Sequence, residues 1–81
     1  MRRVIKFSAT WCHPCKILSE NLEKIQTDIP IEAFDIDDKF EVAQEFGIRG
    51  VPTMVMLENG AEIKRVSGAL PVAKVKEFLN G

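Results

Sequence analysis

The sequence has no apolar run near the ~20 residues that a membrane-spanning helix requires. Its basic start, Met1-Arg2-Arg3, leads into Val4-Ile5-Lys6-Phe7, which is too short and already charged for the core of a secretion signal. The expected location is the cytoplasm, with no membrane partner. Net charge is nearly missing as well: 11 Lys and Arg stand against 12 Asp and Glu, a formal charge of −1. A chain so balanced offers no basic field for nucleic acid or an anionic membrane. Repeats, linkers and low-complexity stretches are lacking, and 81 residues leave no room for a second core. One domain over residues 1–81, working as a monomer, is expected. Cysteine is scarce too. Cys12 and Cys15 are the only two, and the one histidine, His13, lies between them. Structural disulfides are uncommon in the cytosol, so a lone pair there reads as catalytic, redox-active or metal-binding.

What is present changes period several times along the chain. Val4, Ile5 and Phe7 form a short run with β-branched members, which predicts a buried strand. From about Pro14 to Gln26, Ile17, Leu18, Leu22 and Ile25 fall at the spacing of one helix face. Asp28-Ile29-Pro30 breaks that helix, and residues 31–36 read as a second strand. A short helix then opens at Asp37-Asp38 and runs to about Phe46, closed by Gly47. Residues 53–57 are almost continuously apolar, as a strand covered on both faces should be. Asn59-Gly60 signals a hairpin into a more polar edge strand over 61–67. Val72, Val75, Phe78 and Leu79 give a last helix, with Pro71 at or near its first turn.

The order is β-α-β-α-β-β-α. Its βαβ unit implies parallel first and second strands with a right-handed crossover, and the hairpin adds an antiparallel pair. The fold class expected is α/β, a four-stranded mixed sheet with helices on both faces. The five Phe rings and the alternating Met54 and Met56 are expected to pack the core. Glu32, Asp35, Asp37, Asp38, Glu41 and Glu45 make an acidic middle, read as a solvated face that can also steer a basic partner.

Cys12 and Cys15 sit where the first strand hands over to the first helix. Unpaired backbone N–H groups and a partial positive charge at a helix start stabilise a thiolate. Cysteines three apart in regular helix hold their Cβ atoms roughly 5–6 Å apart, slightly beyond disulfide reach, so a small adjustment in the first turn lets the pair cycle. Cys12, the more N-terminal and more exposed, would attack a substrate disulfide, and Cys15 would then resolve the mixed disulfide. Trp11 would flank the nucleophile with an apolar contact. Zinc sites use the same spacing, but Cys12, His13 and Cys15 supply at most three of the usual four ligands. No metal is expected, and no cofactor beyond the redox-active Cys12–Cys15 disulfide.

With this order of elements, Trp11-Cys12-His13-Pro14-Cys15-Lys16, Gly47-Ile48-Arg49-Gly50-Val51-Pro52-Thr53, Asn59-Gly60 and Gly68-Ala69-Leu70 together, the chain closely resembles the thioredoxin family. The likeness begins at the strand carrying Val4 to Phe7, so the N-terminal strand and helix of larger thioredoxins are not expected. The resemblance implies a protein-disulfide reductase serving electron transport and cell redox homeostasis, recharged by thioredoxin reductase or an equivalent donor. It also implies a cis peptide bond at Pro52, and a shallow substrate groove lined by Val51, Pro52 and the Gly68-Ala69 turn.

Three positions depart from the family pattern. Lys6 stands where the family has a buried aspartate, and Ala33 where it has the partner lysine; Lys6 is expected below Cys15, biasing its protonation, or else snorkelling to solvent. His13 replaces a glycine inside the CxxC, beside Pro14, and an imidazolium there would favour the Cys12 thiolate and a more oxidising disulfide. Two other functions fit the same fold: a glutathione-dependent glutaredoxin-like reductase, and a non-catalytic docking subunit. The glutaredoxin reading lacks its usual Gly-Gly and acidic segment, for which Gly68-Ala69-Leu70-Pro71 stands instead.

Overall fold

A computed structural model describes residues 1–81. Its elements are β1 (Arg2–Ser8), α1 (His13–Glu23), β2 (Ile31–Asp35), α2 (Phe40–Glu45), β3 (Thr53–Glu58), β4 (Ala61–Ser67) and α3 (Val72–Asn80). The strands lie in the order β2-β1-β3-β4, with β1 parallel to β2 and antiparallel to β3, and β3 antiparallel to β4.

Side-chain alternation on the central strands divides the core into two layers. Val4, Met54 and Met56 face one way and meet Leu18 of α1 and Val75, Phe78 and Leu79 of α3. Ile5, Phe7, Val55 and Leu57 face the other way, against Ala43 of α2. Strand β3 is covered on both faces, which explains its unbroken apolar run. The Phe7 ring sits edge-on to Phe34 and tilted against Phe46, with centroids 5.9 and 5.6 Å away.

Local chemistry sets the boundaries. Helix α1 stops at Glu23, short of the expected Gln26, because its last turn tightens: Lys24 and Ile25 N–H groups bond the carbonyls three residues back. Helix α2 starts at Phe40 rather than Asp37, because the Asp35 carboxylate takes the Asp37 N–H and folds residues 35–38 into a turn. Gly47 then ends α2 at φ +66°, with its N–H on Gln44 O and that of Ile48 on Ala43 O, a Schellman closure. Asn59 and Gly60 both take positive φ, as a two-residue hairpin of type I′ requires.

Two expectations of burial need correcting. Phe40 is 62% exposed and packs no core, since a six-residue helix turns inward only Ala43 and, in part, Val42. Ile17 is 37% exposed because Leu18 and Cys15 already fill the inner face of α1.

Candidate active site

Because β1 and β3 are antiparallel, the end of one lies beside the start of the other, with Phe7 opposite Thr53. The cysteine loop leaving β1 and the proline loop entering β3 therefore meet, although about 40 residues of chain separate them.

Cys12 is the N-cap of α1, with φ −97° and ψ 106°, and Cys15 lies inside the first turn. The Cα atoms are 5.3 Å apart, inside the span of a disulfide, and Cys12 and Cys15 are joined. The Cys15 N–H donates to Cys12 Sγ at 3.2 Å, so the sulfur serves as the capping acceptor. The expected difference in exposure is absent. Cys12 and Cys15 are 4% and 3% exposed, both packed with Ala9. Their polar neighbours separate them: only Cys12 Sγ receives an N–H, and only it lies against a backbone carbonyl.

The other expected residues divide into those at the sulfurs and those apart. Val51 O lies 3.7 Å from Cys12 Sγ, and the Val51–Pro52 bond is cis. The Thr53 hydroxyl donates to Gly50 O at 2.8 Å and fastens this loop to the start of β3. Gly68 N–H donates to Pro52 O, which sets the Gly68-Ala69 turn beside the proline, and Asn21 Nδ2 ties the same turn to α1 through Leu70 O. No backbone hydrogen bond uses the N–H or C=O of Val51 or Ala69. His13 and Pro14 form the exposed start of α1, and His13 makes no hydrogen bond to either sulfur.

Lys6 points to the α1 side of the sheet, and its ammonium bonds Ser19 Oγ, one turn past Cys15. It makes no hydrogen bond to a sulfur. Burial lowers its pKa below the usual lysine range, opposed by the nearby Glu23 carboxylate. The ammonium is thus neither bonded to Cys15 nor free in solvent, but held in this half-buried pairing.

Trp11 is 68% exposed, and its indole N–H donates to Asp37 Oδ2 at 3.1 Å. This anchor was missed in the sequence, where Asp37 read as one more member of a solvated acidic face. Its only signal was placement, two residues beyond the strand that pairs with β1.

The thioredoxin family model matches residues 1–81. The chain belongs to the thioredoxin family. It is 45% identical over 74 residues to a thioredoxin of Malassezia sympodialis, a match covering 84% of this chain and 70% of that one. A mutant thioredoxin from Halobacterium salinarum superposes with a TM-score of 0.90 at 31% identity, covering 98% of this chain and 72% of that one. A bifunctional thioredoxin reductase/thioredoxin of Mycobacterium leprae is 36% identical over 70 residues, which cover 82% of this chain and 15% of that protein. With its thioredoxin relatives and its joined Cys12–Cys15 pair, the chain is a thiol-disulfide oxidoreductase that reduces protein disulfides.

Proposed function

We propose that Cys12 is the attacking thiolate and Cys15 the resolving thiol. The observation that carries this is the Cys15 N–H on Cys12 Sγ at the start of α1, because a donor aimed at one sulfur favours negative charge there. Cys12 attacks one sulfur of the substrate disulfide and the other substrate sulfur leaves as thiolate. Cys15 then loses its proton and attacks Cys12 Sγ, which releases the second substrate thiolate and leaves the Cys12–Cys15 disulfide. The substrate lies as an extended segment along Val51, Pro52, Gly68 and Ala69, pairing with the backbone groups of Val51 and Ala69 that no backbone partner uses. Trp11 covers the nucleophile's flank, while His13 and Pro14, inside the CxxC, tune the pair.

The exchange needs no cofactor beyond the disulfide. Residues 1–81 act as one domain and a monomer in the cytoplasm, carrying electrons from a thioredoxin reductase to protein disulfides. The M. leprae relative, whose name joins a reductase to a thioredoxin, supports that donor. The test is insulin disulfide reduction driven in parallel by NADPH with thioredoxin reductase and by NADPH with glutathione and its reductase. Turnover with the first donor only, and a stable mixed disulfide with Cys15→Ser, are expected. Turnover with glutathione only would overturn the reductase assignment, and none with either donor or with dithiothreitol would leave a docking module.

A further inference from the structure

The proton that Cys15 gives up has to leave a residue that is only 3% exposed. Cys15 lines a notch of about 400 Å3, open to solvent between α1 and the ends of β1 and β2. Its walls carry the hydroxyl residues Ser8, Thr10 and Ser19 and the charged residues Lys16, Glu20 and Asp35. Trp11, Val51, Pro52 and the Gly68-Ala69 turn do not line it, so a substrate seated on them leaves the notch open. A hollow of this size with polar walls holds water. The Lys6 ammonium donates to Ser19 Oγ, so the Ser19 hydroxyl keeps its own proton to donate to such a water.

The charged residues of the notch differ in fitness to take that proton. The Lys16 ammonium has no lone pair to accept it. Glu20 is exposed on α1, and no hydrogen bond or ion pair holds its carboxylate in place. Asp35 is half-buried at the end of β2, opposite Ser8 in the ladder, and its Oδ1 accepts the Asp37 N–H at 2.8 Å. That bond fixes the carboxylate and leaves Oδ2 for water. We propose that Asp35 accepts the Cys15 proton through water in this notch during resolution. This rests on the reading of Cys15 as the resolving thiol. The proton passes from Cys15 Sγ to water while water gives one to the Asp35 carboxylate. The sulfur's electron pair forms the bond to Cys12 Sγ, and the bond from Cys12 to the substrate breaks with the substrate leaving as thiolate. The carboxyl then returns its proton to solvent through the open side of the notch.

The experiment mixes the reduced full chain with a symmetrical nitroaromatic disulfide whose thiolate is coloured. Attack by Cys12 releases a first thiolate at a rate that scales with reagent; resolution by Cys15 releases a second at a rate that does not. Asp35→Asn keeps an oxygen for the Asp37 N–H but is no base. It should lower the ratio of second to first rate about tenfold at neutral pH, less than a directly placed base contributes because water intervenes. Its second rate should also climb more steeply with pH than that of wild type, since hydroxide must then take the proton. In Asp35→Ala, which widens the notch, added acetate should restore the second rate in proportion to its concentration, with no such gain in wild type. Glu20→Gln should leave the ratio within about twofold. An unchanged ratio in Asp35→Asn, a loss in Asp35→Ala that acetate does not restore, or a tenfold loss in Glu20→Gln instead would each overturn the proposal. A wild type that releases only one thiolate, or a Cys15→Ser variant that still releases two, would instead refute Cys15 as resolver, and this proposal with it.

Discussion

The two cysteines differ in the hydrogen-bond donor aimed at their sulfurs, and alkylation rates should expose it. Cys12 Sγ accepts the Cys15 N–H at 3.2 Å, whereas Cys15 Sγ has no donor. A hydrogen bond to a charged acceptor is worth about 1.5–3 kcal/mol. At ~2 kcal/mol, the thiolate population of Cys12 rises about 30-fold at a pH well below the ordinary thiol range. A more stable thiolate is also a weaker nucleophile; a Brønsted slope of about 0.45 takes back a factor of about five and leaves about sixfold. The quoted range of bond strengths spans about four- to fifteenfold. Access does not contribute, since the cysteines are 4% and 3% exposed. The variants are Cys15→Ser, which keeps the backbone donor, and Cys12→Ser. Iodoacetamide at about pH 6, where thiolate is the minor form of both, should label the first about six times faster than the second. Equal rates, or faster labelling of Cys15, would refute the assignment of nucleophile and resolver together.

Three further outcomes concern the scaffold. Leu18→Ala empties a site that is 1% exposed beneath α1 and should cost about 2–5 kcal/mol, a fall in Tm of about 10–40 °C by calorimetry. Gly47→Ala meets no atom within 4 Å, so its cost is the left-handed backbone alone, about 1 kcal/mol in a urea midpoint. Burial lowers the Lys6 pKa in the folded state, so between that value and the ordinary 10.5 the unfolded chain binds more protons and stability rises with pH. Lys6→Met should therefore stabilise the protein at neutral pH and flatten that alkaline rise; an unchanged slope in urea titrations at neutral and alkaline pH would refute the burial cause.

Elements whose signal is local were legible in the sequence. The continuous run over β3, the Asn59-Gly60 turn and the Gly47 closure each rest on neighbours within a few residues, and each appears as expected. The cysteine pair at the strand-to-helix junction was legible for the same reason, as was the family. Positions decided by fit in space were not. Phe40 has the composition of a core residue, but a six-residue helix has too narrow an inner face to take it. Lys6 was expected below Cys15 or snorkelling to solvent, and the Ser19 partner its ammonium takes could not be read from order, because a long stem can reach several oxygens. The equal burial of Cys12 and Cys15 could not be read from their order, because Ala9 and the loop at Val51 cover both.

The pairing of β1 with β3 acts as a ruler for the reactive loops. The alternation that sends Val4, Met54 and Met56 to one core layer and Ile5, Phe7, Val55 and Leu57 to the other fixes Phe7 opposite Thr53. A slip of one residue would shift the loops by about 3.4 Å and turn every core side chain of the slipped strand to the wrong layer. Misalignment of the cysteines against Pro52 by that route thus carries the penalty of the entire core. Side chains of the connecting loops, which lie outside that pairing, can change without moving the register.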